Sequence, residues 1–559
     1  MKSVGSAPPS IPFVIGVTGH RDLRPEDSEQ IRSVVRDLLL DVQSILPHTS
    51  LRVLSPLAEG ADRVVAEIAL ELGIELVAVL PFDVEEFEKD FQSPESIQEF
   101  RQLKTRAAGT VKIDAFPHAE ARRFDVYDPK AIQYALAGAF VAEHCQLLIA
   151  LWDGKDTGKV GGTRQVVHFV RSGIPISLRT HGDFLSQEEL GDVAQVRVTR
   201  ASESESEVPI SLSVLTSTDE EPESLEQSPG LVQARRNLDV FNRHSRSKAP
   251  RATGGERSEP GADQAADIVS KQFHAADQLA LRFQSAYLRA WVSILALSFA
   301  AAVTLQVHLN AVSSWVLSLV YGAIILIAFG IYYGVKLFRL EERYLDYRAL
   351  AEGLRVQVHW LEAGISKPVS QFYLHRQQSE LRWIRSAIRN ATFAVIHLAP
   401  ALGGVAALQT RVDGVKRNWI QDQLKYFAKA TEAAQRAERR WTWAARIMLG
   451  VGVILAIVKS SVGHSPWLVV LVAVPPILVA IFTLHVQNRK FGPIAQQASR
   501  MASLFHCASK RLDEFQSASE PMDREFEQLL LQLGHEVLAE NAEWVTLHRD
   551  RPISTPFVA

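Results

Sequence analysis

Four apolar runs, Ala290–Leu309, Trp315–Val335, Ile447–Val462 and Trp467–Val486, constrain this chain more than any other feature. A helix needs about 20 apolar residues to cross a hydrocarbon core. The first, second and fourth runs meet that length. The third is shorter and carries Lys459 near its end, where the ammonium can snorkel to the interface; a buried helix of a soluble core is its competing reading. Mean hydropathy is only +0.01 and 22% of residues are charged, so strongly polar segments must offset these runs.

The charges orient the runs. The turns inside the two pairs, NAVSS and GHSP, hold no Lys or Arg, whereas the outer flanks hold Arg282, Arg289, Lys336 and Arg339, then Arg439, Arg440, Arg489 and Lys490. Positive charge marks the cytoplasmic face, so both hairpins are expected to enter from and return to the cytoplasm, with both termini there. Trp291, Trp315, Tyr332, Tyr333, Trp441, Trp443 and Trp467 lie where interfacial belts form. The opening MKSVGSAPPS has no charged region followed by a long apolar stretch, so a cleaved leader is not expected. The expected location is the cell inner membrane, multi-pass.

The two halves repeat: a helical lead-in, a hairpin with a short turn, then a long amphipathic helix. Leu340, Tyr344, Tyr347, Ala351, Leu354, Val358 and Leu361 follow 4-3 spacing, and so do Ile494, Ala498, Met501, Phe505, Ala508, Leu512 and Phe515. Such seams must bury themselves, either on the lead-in helix of the same chain or between subunits. Thr304, Gln306, His308, Asn310, Ser318 and His485 are polar positions that line a pathway, bond between helices or lie at the interface, and Gln306, His308 and His485 sit near segment ends. Gly450, Gly452 and Pro475–Pro476 suggest close packing and a kink.

Residues 11–180 alternate short apolar runs with helix-length segments, the pattern of βαβ units. The strand candidates are Phe13–Val17, Leu51–Leu54, Leu76–Leu80, Gln146–Leu151 and Ile174–Leu178. The expected fold is an α/β Rossmann-like, doubly wound parallel sheet followed by an all-α membrane domain with four transmembrane helices in two hairpins. From about 200 to 262 the composition turns acidic and then basic and small, as in a solvated linker, with a short helix over Leu231–Phe241 that docks back on the sheet. Phe393–Leu408 reads as a helix of the cytoplasmic region or an interfacial one rather than a fifth span. The net charge of -3 gives no footprint for nucleic acid. Two cysteines, Cys145 and Cys507, support neither a disulfide framework nor a metal site.

Three segments offer chemistry. VIGVTGHRDL puts Thr18, Gly19, His20 and Arg21 at the end of the first strand, where glycine admits a phosphate to the backbone; an ordinary tight turn explains it equally well. In LSPLAEGADRVVAE, Glu59 and Gly60 precede a helix that Asp62 would cap, or Glu59 would meet a ribose. LIALWDG ends a strand on Trp152 and Asp153, and Gly161, Gly162 and Thr163 then open a helix with a bare amino end. All three converge on one sheet edge.

Together GVTGHRDL, LSPLAEGADRVVAE, AVLPFD followed by EEFEKDF, and LIALWDG followed by GGT resemble a SLOG domain over about residues 11–245, including the trailing LDVFNR. That superfamily is named for DprA-type DNA-processing proteins and LOG cytokinin-activating hydrolases, and it includes the cytosolic domains of TRPM-type channels. The hairpins with YRALAEGLRVQVHWLEAG and WIQDQLKYFAKA resemble tandem SLATT modules, the two-transmembrane effectors of bacterial conflict systems. The division this gives is a sensing domain over 1–245, a linker over 246–262, SLATT-like modules over 263–420 and 421–545, and a tail over 546–559.

The resemblance implies a nucleotide-derived ligand, related to ADP-ribose, NAD or a second messenger, with no further cofactor or metal required. Its contacts would be Thr18, Gly19, His20, Arg21, Glu59, Gly60, Trp152, Asp153, Gly161, Gly162 and Thr163. Phosphoribohydrolase members carry a glutamate just after the glycine-threonine turn, but Arg164, Gln165, Val166 and Val167 follow here. Glycosidic hydrolysis wants that carboxylate, so a sensor is expected over a catalyst, with Glu59 or Asp62 as substitutes in the alternative, a membrane-anchored nucleotide or NAD hydrolase. His20 would position backbone or pair with phosphate rather than transfer protons. The leading expectation is a ligand-gated, membrane-permeabilising effector that limits phage spread. Its partners would be a small nucleotide and membrane lipid, and it would act as a homo-oligomer, because four helices enclose little water.

Overall fold

The computed structural model describes residues 10–115, 128–155, 158–179, 190–202, 209–217, 224–246, 262–374, 381–398, 408–462, 465–517 and 523–549. Most of the expected linker, part of the GHSP turn, Pro400 with Gly403–Gly404, and most of the tail lie outside these residues. The chain divides into two compact units. The first comprises Met1–Ala275, Gly353–Val358 and Ser366–Gly403, and the second comprises Ala276–Glu352, His359–Ile365 and Gly404–Ala559.

The first unit is built on a seven-stranded sheet of β1 (Phe13–Gly19), β2 (Leu51–Ser55), β3 (Glu75–Leu80), β4 (Gly109–Lys112), β5 (Leu147–Trp152), β6 (Asp192–Arg197) and β7 (Ser211–Leu215). Their order is β4-β3-β2-β1-β5-β6-β7, and β7 alone runs antiparallel to its neighbour. Helices α1 (Ser28–Ile45), α2 (Ala61–Glu71), α3 (Pro94–Arg106), α4 (Pro129–His144) and α5 (Thr163–Ser172) provide the connections. β1, β2, β3 and β5 are buried along nearly their whole lengths, as strands covered on both faces must be.

Two expectations fail here. Ile174–Leu178 is not a strand: Pro175 has no N–H for a ladder, Ile176–Leu178 forms a 3-10 turn, and Ile176 is 58% exposed. The place beside β5 goes to β6, whose Asp192, Gln195 and Arg197 broke the apolar signal. Asp192 is tolerated inside because it accepts the Gly230 N–H at 2.6 Å and the Ser228 hydroxyl. Within the stretch read as linker, Ser211–Leu215 pairs with β6 as the edge strand. The helical segment containing Leu231–Phe241 does pack back, burying Leu231, Leu238 and Phe241.

A later helix, Arg382–Phe393, belongs to the same unit. Asn390 donates to Pro12 O at 2.9 Å and to Gln146 Oε1 at 2.7 Å, just before β1 and β5. Phe393 joins the sheet's core cluster with Phe140 and Cys145. Within Phe393–Leu408, the described Ala394–Leu398 continues this helix in the first unit.

Among the described residues four helices are long and apolar enough to cross a membrane, and their apolar segments lie in the second unit. They run through α6 (Ala262–Asn310), α7 (Trp315–Leu337) continued by α8 (Leu340–Glu362), α9 (Gln421–Val462), and α10 (Pro466–Arg489) continued by α11 (Phe491–Ser517); α12 (Asp523–Arg549) follows. The third span is no buried core helix: Ile447, Leu449, Val453, Ile454 and Ile457 are all exposed. Gly452 lets α9 approach α10 closely, since a Cβ there would stand 3.3 Å from Pro475. The seams meet lead-in helices of their own chain: Tyr347 packs on Phe283 with ring centroids 5.5 Å apart, and Phe505 stacks on Phe427 at 5.8 Å. Trp360 anchors α12 by donating its indole N–H to Leu530 O at 3.1 Å, a fit that Gly534 permits by having no side chain.

Candidate functional site

Strand order reverses between β1 and β5, so their carboxyl ends flank the crevice where doubly wound sheets receive ligands. Gly19 pairs with Leu151 in the register, which brings His20 and Asp153 together just beyond the strands. The Asp153 N–H donates to His20 Nε2 at 3.0 Å, and that nitrogen is 3.2 Å from Asp153 Oδ1. Burial and the Arg200 charge pull the imidazole below its usual pKa, outweighing Asp153. His20 is thus neutral near pH 7, with Nε2 accepting the Asp153 N–H, which suits a positioning role.

Asp153 also accepts from Lys155 N at 2.9 Å and Arg200 Nε at 3.1 Å. Burial opposes its ionisation, but the Lys155 N–H bond and the Arg200 guanidinium hold the carboxyl below the usual range. Arg200 comes from the segment after β6, which lies along the loop after β1: Leu23 bridges Arg200, and Ala201 N donates to Asp22 O at 2.9 Å. The sequence gives no periodic signal there, so Arg200 and Asp22 were not anticipated.

The first two motifs are bound to each other through the backbone. Gly60 has φ +79°, and a Cβ on it would fall 2.5 Å from the carbonyl oxygens of His20 and Arg21. Ala61 N donates to His20 O at 3.0 Å, and a Cβ on Gly19 would collide with Ala61 at 2.3 Å. Thr18 is buried within β1. Tyr134 on α4 links the first motif to the third. Its ring carries the Arg21 guanidinium 5.1 Å from the centroid, and a Cβ on Gly161 would stand 2.7 Å from its own Cβ. The Tyr134 hydroxyl donates to Asp90, which also pairs with Lys130. Burial and the Asp90 bond push Tyr134 up to about 12. Tyr134 lies in no motif and only its position in the fold reveals it, while Asp90 belongs to the EEFEKDF segment.

At the third motif, Gly161 adopts φ +75° and donates its N–H to Gln165 Oε1 at 2.6 Å. Gly162 is the N-cap of α5, with ordinary extended backbone, and Thr163 is the first helical residue. The free N–H groups of such a first turn favour an anion. Trp152 faces the core, its indole N–H buried without a hydrogen-bond partner among the described residues.

The two acidic candidates are placed differently. Glu59 accepts from Gln92 N at 3.0 Å and from the Ser96 hydroxyl, so its carboxylate is spent on the start of α3. Asp62 does not cap α2; Gly60 occupies the N-cap. One Asp62 oxygen accepts from Ala58 N at 3.3 Å, and the other is buried with no hydrogen-bond partner among the described residues. Burial raises its pKa to about 7 against the pull of Arg21. A carboxyl that keeps its proton toward neutral pH can donate as well as accept. No group of three His, Cys, Asp or Glu able to hold a metal ion occurs among the described residues.

A doubly wound α/β unit in a chain with four apolar helices of spanning length among the described residues defines the class: a membrane protein with a sheet unit whose crevice is lined by glycine turns. More particularly, residues 416–544 match the family model for SMODS and SLOG-associating 2TM effector domain 1, a two-transmembrane effector domain. No curated protein and no solved structure matches the chain.

Proposed function

We propose that the chain is a ligand-gated membrane effector of bacterial antiphage conflict. In this reading, a nucleotide-derived signal of the ADP-ribose or NAD class occupies the β1/β5 crevice of a SLOG-like unit and shifts the population of two states. The favoured state assembles hairpins of several copies into a path through the inner membrane, with both chain termini cytoplasmic. The observation that carries it is Tyr134, which packs against both Arg21 and Gly161 in a chain that also holds an effector domain at 416–544. Arg21 and the α5 amino end would bind the phosphates, while Asp62, near its midpoint at neutral pH, suits a ribose hydroxyl. Residues 263–420, with the same hairpin-and-seam order, would form a second module of the same kind.

Titration of the full chain in detergent with labelled ADP-ribose and NAD tests this reading. Saturable binding without turnover supports sensing, and no occupancy by either removes that ligand class. Turnover abolished by Asp62→Asn would favour the hydrolase alternative, for which Asp62 is the remaining acid once Glu59 is engaged with α3.

A further inference from the structure

The second unit contains a cavity of about 240 Å³ at the ends of the hairpins away from their turns. Its walls come from the entry of the first span (Tyr287, Trp291), the start of α8 (Glu341) and the exit of the fourth span (Asn488, Arg489, Lys490). Both hairpins contribute, and Trp544 and His548 on α12 close one side.

Two donors there lack a hydrogen-bond partner among the described residues. They are the indole N–H of Trp291, a residue only 4% exposed, and the side-chain amide nitrogen of Asn488. A buried donor left unpaired carries its full desolvation cost, and such groups ordinarily meet an acceptor. Charge favours an anionic one. Arg489 and Lys490 are two cations against one carboxylate, Glu341, which already accepts the Tyr287 hydroxyl at 3.0 Å. Burial lowers the His548 pKa, and its Nδ1 lies 2.8 Å from Trp544 O, so it adds no charge near pH 7.

We propose that this cavity is a phosphate-binding site at the membrane interface, in which Trp291 and Asn488 donate to phosphate oxygens that Arg489 and Lys490 neutralise. A phosphate on a lipid headgroup and a free phosphate ester share this chemistry, but the place of the cavity beside the spans favours the lipid. Basic pockets between spans on the cytoplasmic side hold anionic headgroups in this way. Because residues of both hairpins line it, occupancy would tie the two repeats together. The site rests on the membrane reading of the apolar helices and not on any ligand in the sheet crevice.

The full chain, exchanged into nanodiscs of phosphatidylcholine with or without phosphatidylglycerol, tests the proposal by mass spectrometry of retained lipid and by thermal unfolding. A parallel arm adds glycerol 3-phosphate to the phosphatidylcholine sample. Wild type should retain phosphatidylglycerol and unfold at higher temperature with it. Trp291→Phe, which keeps the ring and removes the N–H, and Arg489→Gln should each weaken retention about tenfold, the worth of one charge-assisted hydrogen bond. Stabilisation by glycerol 3-phosphate as well would keep the anion site and assign it to soluble esters. Retention unchanged by both variants, or no preference for either phosphate over phosphatidylcholine, overturns the proposal.

Discussion

Arg339 and Lys490 adopt the same left-handed backbone conformation, φ 50°, ψ 43° and φ 49°, ψ 41°, at matching places in the two hairpins. Each is the joint between the second span of its hairpin and the seam helix that follows. A repeat visible in the sequence as two sets of 4-3 spacings is thus reproduced at single-residue resolution. A non-glycine side chain in this region costs roughly 1–2 kcal/mol, so the surrounding packing holds both joints bent.

That cost predicts opposite responses at Arg339. Arg339→Val should unfold at lower temperature than Arg339→Gly by the equivalent of about 1–2 kcal/mol. Both variants lose the pairing with Glu342 equally, so the difference isolates the backbone. Thermal unfolding of the full chain in detergent measures it; equal midpoints would show that the joint is not strained.

The sheet crevice should tolerate side chains unevenly at its glycines. Gly60→Ala forces a Cβ to 2.5 Å from two carbonyl oxygens at φ +79° and should destabilise the sheet unit by at least about 2 kcal/mol. Gly162→Ala, at φ -81°, meets only Lys159 O at 3.1 Å and should cost less than about 1 kcal/mol. Denaturant unfolding followed by tryptophan fluorescence separates the two, and a Gly60→Ala chain as stable as wild type would place that turn elsewhere.

Asp62 predicts a pH dependence with a definite sign. Burial lifts its folded pKa to about 7, above the usual unfolded carboxyl value near 4. The folded state therefore holds more protons between those values, and this group's contribution to stability falls as pH rises from about 4 to 7. Asp62→Asn should remove that slope and raise stability at pH 8 by roughly 2–4 kcal/mol relative to wild type. Urea unfolding at pH 5 and pH 8 checks it; identical pH slopes in both chains would show that Asp62 ionises freely.

Much of this organisation was legible in the sequence because its signals are periodic or compositional. β1, β2, β3 and β5 are continuous apolar runs, the spans are longer still, and GHR, EGA and GGT fall where the chain must turn tightly. What escaped the sequence was non-local. β6 hides behind Asp192 and Gln195, and Ser228 and Gly230, the partners that admit Asp192, lie elsewhere in the chain. Tyr134 lies in unremarkable surroundings and meets Arg21 only after the sheet has formed. Glu59 looked available because nothing local predicts that Gln92 and Ser96 will occupy it.

Orientation in the membrane is open to labelling. Cys145 is buried and Cys507 exposed. If both termini are cytoplasmic, as proposed, a membrane-impermeant maleimide should label Val312→Cys, in the turn of the first hairpin, on intact spheroplasts. Cys507 should react only after permeabilisation. Reaction of Cys507 from outside would invert the topology.

The claim that an anion in the sheet crevice controls the hairpins is tested most directly by membrane potential. Gly162→Glu places a carboxylate at the amino end of α5, on backbone that accepts a side chain, and so blocks an anion without unfolding the domain. In phage-challenged bacterial cells reporting membrane potential by dye fluorescence, the intact chain should depolarise the membrane and the Gly162→Glu chain, at equal abundance, should not. Equal depolarisation by both, or by neither, would contradict gating through the crevice.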